Sequence, residues 1–258
     1  MAEARQVSSR DNPLLVRVRK LGADPGAYRK LGEVWLEGDH LCSAFAQRGG
    51  RAVQAIVSTA GWEQPALRAL AGQAAAVAIV PPELMAGLSM LESPPAIGFV
   101  VTTPTAPALA PEQASVVLDR LQDAGNVGAI LRSASAFGFT QVLALKGTAA
   151  LWSPKVLRAG MGAHFALRLV EGLESETLAA LQVPMLGTSS HAAQALHEVD
   201  LPWPCGWVLG HEGQGVSAAL QRQCAMALRI PQPGGEESLN VAAAAAVCLY
   251  ESARQRAR

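Results

Sequence analysis

Three segments of the chain combine glycines, which let a backbone approach a ligand closely, with polar side chains that could contact that ligand. They are GNVGAILRSASAFG (125–138), LGHEGQGV (209–216) and IPQPGGEESLNVAAAAA (230–246). The polar side chains that we single out in them are Asn126, Arg132, Glu212, Ser238 and Asn240. Each segment follows a predicted strand, and parallel α/β sheets bind ligands at the carboxyl ends of their strands. We therefore expect a ligand site at one edge of a sheet.

The sequence excludes three common kinds of nucleotide site. A dinucleotide site needs GxGxxG and an acidic residue at the end of the next strand. This segment has only GxxG, at Gly125 and Gly128, and the next predicted strand ends near Lys146. The sequence has no Walker lysine motif either. NAD binding, the glycine-rich loop of ordinary Rossmann methyltransferases and P-loop binding are therefore excluded.

Each polar residue, taken alone, has a simpler structural explanation. Arg132 is typical of a surface or ion-paired arginine, and His211 and Glu212 are typical of exposed loop residues. Ser238 stands where a helix begins, and serine at that position is usually an N-cap. A functional interpretation depends on all three segments occurring together and in this order.

Alternating strands and helices in the second half of the chain would position these segments. This alternation predicts an α/β fold with a parallel sheet that helices cover on both faces. The predicted strands cover 115–121, 141–147, 165–172, 183–189, 206–212 and 226–232. The last segment, 237–258, predicts a long helix with an alanine-rich face that packs closely.

A smaller α/β block precedes this sheet. Its predicted strands cover 33–38, 53–58 and 75–80, with helices near 39–48 and 63–72 and one further strand in AIGFVV. The proline-rich stretch TTPTAPALAP is typical of a semi-rigid linker. We place the domains at 1–99 and 114–258, with the linker at 100–113.

The composition is that of a soluble, well-packed protein of 258 residues, 50% hydrophobic and 16% charged. No apolar run reaches the ~18 residues of a membrane span, and the N-terminus has no apolar core typical of a signal peptide. We therefore expect a cytoplasmic protein without membrane contact. The cysteines lack CxxC or zinc-site spacing, so we expect buried free thiols and no metal. They are Cys42, Cys205, Cys224 and Cys248.

The formal net charge is zero, which counts against a dedicated nucleic-acid binder. The basic residues are concentrated, however, because residues 5–30 hold seven Lys and Arg against two Asp. Such a run is typical of a solvated face, and it could also attract phosphates.

Taken together, the three segments resemble the signature motifs of the SpoU/TrmH family of RNA 2′-O-ribose methyltransferases. The resemblance covers nearly all of residues 115–251 and includes WSPKVLRAGMGAHF (152–165). The N-terminal block resembles the ribosomal-protein-like substrate-binding domain of many members, with WLEGDHL (35–41) at its EG-containing strand end. The chain has Ala124 where the family often has Pro, and Gln232 where it commonly has Met. Neither departure removes a polar group that the chemistry uses.

The resemblance implies a deep trefoil knot in the C-terminal half, formed by the loops 187–190, 209–216 and 230–239. It also implies that S-adenosylmethionine binds in these loops. Main-chain groups near Gly210, Ile230 and Leu239 would hold the adenine and ribose, with Thr188 close by. Members are typically homodimers, with the residue matching Arg132 near the subunit interface.

Methyl transfer needs the acceptor hydroxyl in line with the methyl group and a group that handles one proton. In the family, the residue matching Arg132 activates the 2′-hydroxyl. Two roles for Arg132 stay open: a base, or a cation that holds the RNA phosphate and stabilises the developing alkoxide. The resemblance implies that Asn126, Glu212, Ser238 and Asn240 orient Arg132 and the target ribose.

The extra N-terminal domain favours ribosomal RNA over transfer RNA as the substrate. We expect Arg17, Arg19 and Lys20 to grip that RNA by its phosphates. A non-catalytic RNA-binding protein on the same fold is disfavoured because Asn126, Arg132 and Asn240 are present. Arg132 also disfavours methylation of a base, and the basic N-terminal block disfavours a small-molecule substrate.

Overall fold

The computed structural model describes residues 4–105, 107–234 and 239–257. The chain forms two compact units: Met1–Thr105 with Trp152–Phe165, and Ala106–Leu151 with Ala166–Arg258. Each unit has its own sheet. No helix in these described ranges is both long and apolar enough to cross a membrane.

The first unit is built on a mixed five-stranded sheet. Its elements are β1 (Ala4–Gln6), α1 (Pro13–Ala23), α2 (Ala27–Leu31), β2 (Glu33–Glu37), α3 (Asp39–Gln47), β3 (Gln54–Ser58), α4 (Thr59–Glu63), α5 (Pro65–Ala71), β4 (Val77–Val80), α6 (Pro82–Ala86) and β5 (Ile97–Thr102). The strand order is β1-β4-β3-β5-β2, with β5 antiparallel to both of its neighbours. Asn12 begins α1 by accepting a hydrogen bond from the Leu14 N–H at 3.0 Å. This cap fixes the start of the helix that carries the predicted RNA-binding residues.

The second unit is built on a seven-stranded sheet in which every pairing is parallel. Its elements are β6 (Ser115–Asp119), α7 (Ala124–Ala136), β7 (Gln141–Leu145), β8 (Arg168–Leu173), β9 (Met185–Thr188), β10 (Gln194–Ala195), β11 (Gly206–Gly210), α9 (Ala218–Gln221), β12 (Met226–Arg229) and α10 (Val241–Arg256), and the helix between β7 and β8, α8 (Pro154–Gly160), belongs to the first unit. The strand order is β10-β12-β9-β11-β6-β7-β8. All residues of β6, β7 and β11 are buried, as expected when helices cover both faces. The predicted α/β class with a parallel sheet is confirmed.

Helices α7 and α10 pack against each other in this unit. Small residues on α10, such as Ala245 and Ser252, are buried, and the Ser252 hydroxyl accepts a hydrogen bond from Trp207 Nε1 at 2.9 Å. This bond ties α10 to β11, the strand whose carboxyl end precedes the second glycine segment.

The boundaries of the compact units differ from the predicted domain boundaries in two places. Strand β5 continues to Thr102, inside the expected linker. Residues 152–165, expected in the second domain, belong to the first unit instead. Arg158 pairs there with Glu37 at 3.2 Å, and the ring of Phe165 contacts that of Phe45 at 5.2 Å between centroids. Local patterns along the chain carry no information about these long-range contacts.

All four cysteines are free, and Cys42, Cys205 and Cys248 are buried. Burial raises the pKa of the Cys205 thiol to about 12. Among the described residues, no group of three or more His, Cys, Asp or Glu side chains is placed to hold a metal ion.

Candidate active site

The first two glycine segments lie side by side because their strands are neighbours. Strand β11 pairs with β6 in parallel, with Gly210 opposite Asp119. The loop after β11 therefore lies beside the turn that leads from β6 into α7. The carboxylate of Glu212 accepts hydrogen bonds from the main-chain N–H of Gln122 at 3.4 Å and of Asp123 at 3.2 Å. Glu212 thus anchors one loop on the other.

Glu212 also accepts a hydrogen bond from Asn126 Nδ2 at 3.2 Å. Desolvation acts to raise the pKa of Glu212, but the hydrogen bonds that its carboxylate accepts outweigh it, and the pKa lies below its usual value. Glu212 is therefore a carboxylate at neutral pH. It serves as an acceptor of hydrogen bonds rather than as a proton donor.

Asn240 extends this network to the third segment. Its Nδ2 donates to Asn126 Oδ1 at 3.0 Å, and its Oδ1 caps α10 by accepting from the N–H groups of Ala242 and Ala243. The two amides are therefore fixed in orientation, because each has a donor and an acceptor partner. Three of the predicted residues form one chain of hydrogen bonds that joins all three segments.

Asp119 and Arg120 form a charged pair that the sequence analysis missed. Asp119, buried at the end of β6, accepts from Arg120 Nε at 2.9 Å and from the Ser217 N–H at 2.7 Å. Desolvation acts to raise the pKa of Asp119, but these partners lower it below its usual value. Arg120 has a φ of 59°, which is rare outside glycine. The signal in the sequence was a charged pair that ends a strongly apolar strand.

A cleft of about 600 Å³ opens beside this network. It contains all four positions that the family resemblance assigned to the cofactor. The predicted residues on its wall are Thr188, Gly210, Glu212, Ile230, Leu239 and Asn240.

The backbone of the cleft requires glycine at position 210. A Cβ at this position would lie 2.0 Å from the carbonyl carbon of Gly215 and 2.1 Å from the nitrogen of Val216. The loop folds back on itself through two hydrogen bonds between His211 and Gly215, and His211 Nδ1 accepts from the Gly213 N–H. Only glycine permits this close approach. The hydrogen bonds of His211 stabilise the conformation of its own loop.

Arg132 is not part of this network. Arg132 is exposed on α7 and makes no hydrogen bond or ion pair with another described residue. It follows Asn126 by six residues, which on an α-helix is a rotation of about 240°, so it projects from a different face. Ser238 lies outside the described residues.

The predicted RNA-binding residues lie on α1 in the first unit. Arg17 Nε pairs with the Glu33 carboxylate at 2.8 Å, and Arg19 donates to the main-chain oxygen of Arg10 at 2.7 Å. Lys20 is exposed. Two of these three cations are therefore held in place by contacts within their own unit.

Comparison with known proteins identifies the family. The sequence profile of the SpoU rRNA methylase family matches residues 113–250. An uncharacterized tRNA/rRNA methyltransferase from Synechocystis, slr1673, is 34% identical over 97% of this chain and 94% of its own length. The chain belongs to the SpoU rRNA methylase family. A second member, the 23S rRNA (guanosine-2′-O-)-methyltransferase RlmB of Bordetella pertussis, is 37% identical over 55% of this chain and 59% of its own length.

Two solved structures are similar to nearly the whole chain. An RNA 2′-O ribose methyltransferase is 29% identical, covers 98% of this chain and 100% of its own, and gives a TM-score of 0.83. The SpoU methyltransferase AviRb from Streptomyces viridochromogenes, in complex with the cofactor AdoMet, is 25% identical over 95% of this chain and 98% of its own, with a TM-score of 0.84.

Proposed function

We propose that this SpoU family member transfers the methyl group of S-adenosylmethionine to a ribose 2′-hydroxyl of ribosomal RNA. The observation that carries the proposal is the hydrogen-bonded chain Glu212–Asn126–Asn240 on the edge of the cleft. The comparisons support it, because the relatives include an rRNA 2′-O-methyltransferase and a structure with the same cofactor.

The cleft fits the charge of the proposed cofactor. When bound, S-adenosylmethionine supplies a methyl group on a cationic sulfonium. The described residues that line the cleft include no Lys or Arg, and Glu212 contributes a negative charge. A cation is therefore attracted to this wall rather than repelled. The glycines of the loop 210–215 leave main-chain groups accessible to the adenine and ribose.

The residues of the network act by preorganisation. Asn126 and Asn240 are locked by partners on both sides, so their positions need no rearrangement when RNA arrives. Glu212 keeps the loop 209–216 against the start of α7. In this proposal the network holds the loops that align the 2′-hydroxyl with the methyl group, and Ser238 belongs to the same set.

We assign the cationic role to Arg132. Arginine carries a positive charge at neutral pH, and Arg132 lies on an exposed helix face. A guanidinium there can bind an RNA phosphate bidentately and stabilise the alkoxide that forms on the ribose. The proton of the 2′-hydroxyl then leaves to solvent.

The finer features of the fold belong to the same proposal. We infer that the loops 187–190, 209–216 and 230–239 form a trefoil knot, as the resemblance to the family implies. We also infer a homodimer through α7 and α10. On α10, the apolar side chains of Val247 and Tyr250 are 41% and 53% exposed. Arg132, on the exposed face of α7, would then lie near the interface. The first unit would bind RNA, and the protein would act in the cytoplasm.

The test is transfer of tritium from labelled S-adenosylmethionine into total RNA from cells that lack this protein. Alkali-resistant dinucleotides would then locate the methylated ribose. We expect label at one position in ribosomal RNA, and none with Arg132→Ala. Arg222→Ala, which removes another exposed arginine of the same unit, is the control and should retain activity. Label in transfer RNA would correct the substrate, and cofactor binding without transfer to any RNA would contradict the proposal.

A further inference from the structure

Arg120 lies at the carboxyl edge of the second unit's sheet, directly after the position where β6 and β11 end opposite each other. Its Nε donates to the Asp119 carboxylate at 2.9 Å, and its Nη1 donates to Gln214 Oε1 at 3.4 Å. Gln214 belongs to the loop after β11 and lines the cleft, whereas Arg120 is not among the lining residues. The two bonds therefore hold the guanidinium beside the cleft rather than inside it.

The Asp119–Arg120 pair presents its positive member to the outside. The side chain of Asp119 is only 3% exposed, whereas that of Arg120 is 38% exposed. The hydrogen bond to Asp119 raises the pKa of Arg120 above its usual value, so the guanidinium is a cation at neutral pH. A guanidinium has more N–H groups than these two bonds use, and Nη2 makes no hydrogen bond with another described residue. Arg120 can therefore bind a further anion.

The backbone around Arg120 accommodates this side chain at a cost. The φ angle of 59° lies in the left-handed region, which is unfavourable for a residue with a Cβ. A Cβ added to Gly147 would lie 3.4 Å from Arg120 Cγ, so the glycine leaves room for the arginine stem. A strained residue and a neighbouring glycine thus both place one guanidinium at this edge.

The charges around the cleft indicate which anion Arg120 binds. Asp123 and Glu212 are exposed acidic residues of the two adjoining loops, and the described residues that line the cleft include no Lys or Arg. An RNA strand that places a 2′-hydroxyl in the cleft carries phosphates on both sides of that ribose, and acidic side chains repel them. A cation beside the cleft offsets this repulsion.

We propose that Arg120 binds an RNA phosphate next to the target ribose. This inference depends on the proposed function. The carboxylate of S-adenosylmethionine is a second anion in the site, but the cofactor would lie inside the cleft, whereas Arg120 lies beside it. A strand that crosses the opening of the cleft fits the position of Arg120 better. A guanidinium can hold a phosphate oxygen pair bidentately, which would fix the ribose as well as the charge.

The test measures binding to ribosomal RNA extracted from cells that lack this protein. Filter binding at several salt concentrations gives the affinity and the slope of its logarithm against the logarithm of salt concentration. Arg120→Gln should weaken binding about tenfold at low salt and should reduce the slope by about 0.7–0.9, the contribution of one phosphate contact. Arg120→Lys keeps the charge and should retain the wild-type slope.

Arg168→Gln is the matched control. Arg168 is an exposed arginine that begins β8 at the opposite edge of the same sheet, and its Nη1 donates to the Ala108 carbonyl at 3.1 Å. This variant should retain the wild-type slope. Because Arg120→Gln removes a partner of the buried Asp119, thermal unfolding would verify that each variant is folded. Calorimetry should show that Arg120→Gln binds S-adenosylhomocysteine with the wild-type affinity.

Three results would overturn the inference in distinguishable ways. A slope that is equal in the wild type and Arg120→Gln would show that Arg120 contacts no phosphate. A slope for Arg120→Lys as low as that of Arg120→Gln would assign the loss to the structure of the loop rather than to the charge. A loss of S-adenosylhomocysteine affinity with an unchanged slope would assign Arg120 to the cofactor. A wild type that binds no S-adenosylhomocysteine would contradict the proposed function itself.

Discussion

Replacing Glu212 by Gln tests whether its carboxylate holds the site together. The wild-type carboxylate accepts three hydrogen bonds, from Gln122, Asp123 and Asn126. A glutamine can keep two of them, but its amino group must then face the Gln122 N–H, which is also a donor. The change therefore removes one hydrogen bond, and the two hydrogen bonds that remain no longer have a negatively charged acceptor. Charge-assisted bonds contribute about 1.5–3 kcal/mol when buried. Because Glu212 is exposed, we expect a loss of only ~1 kcal/mol in the free energy of unfolding.

This loss should depend on pH in a defined direction. The pKa of Glu212 is lower in the folded protein than its usual value, so its stabilising effect is present above the unfolded pKa of about 4.3. It disappears as the pH falls through the lower, folded pKa. Gln does not titrate, so the difference between wild type and variant should be constant above about pH 6 and should shrink below about pH 4.

Thermal unfolding at a series of pH values would measure this difference. For a protein of this size, ~1 kcal/mol corresponds to a shift of about 2–4 °C in Tm. Glu112, an exposed glutamate of the same unit that makes no hydrogen bond to another described residue, is the control, and Glu112→Gln should shift Tm by less than about 1 °C. A Glu212→Gln shift that stays the same down to pH 3.5, or is absent at pH 7, would refute the reasoning.

Three further predictions concern other parts of the chain. Gly210→Ala should destabilise the protein by about 1–3 kcal/mol and weaken binding of S-adenosylhomocysteine, because the backbone at Gly215 must move; chemical denaturation and calorimetry would measure both effects. Replacing Arg17, Arg19 and Lys20 of α1 by Ala should weaken RNA binding and flatten its salt dependence, while cofactor affinity stays unchanged. The control variant Arg48→Ala/Arg51→Ala should keep both the RNA affinity and its salt dependence. Filter binding at several salt concentrations tests this. Burial raises the pKa of the Cys205 and Cys248 thiols to about 12, so an alkylating reagent at pH 8 should modify them only after unfolding, as mass spectrometry would detect.

The sequence predicted the strands of the second unit well, because apolar runs of five residues bounded by turns are typical of buried parallel strands. It did not predict β1 or β10. These strands have three and two residues, too few for any periodicity to emerge.

The sequence predicted candidate residues for the site but not how they contact one another. The residues Asn126, Glu212 and Asn240 came from the motif resemblance, and no spacing rule indicates that they bond to one another across 86 and 114 residues of chain. Asp119 and Arg120 were missed because both fall within the predicted strand 115–121, whereas β6 ends at Asp119. The position of Arg132 outside this network depends on helix phase, which the motif alone does not reveal.

The path of the chain limits how this protein can be cut. It passes between the two units at 105/106, 151/152 and 165/166, so no single break separates them. A truncated fragment that begins at residue 106 would still carry α8, with Val156 and Leu157, both buried in the intact protein, stripped of β2 and α1. Arg158 would lose Glu37 at the same time. Such a fragment should aggregate, and an exchange of the first unit between relatives should succeed only when 1–105 and 152–165 are transplanted together.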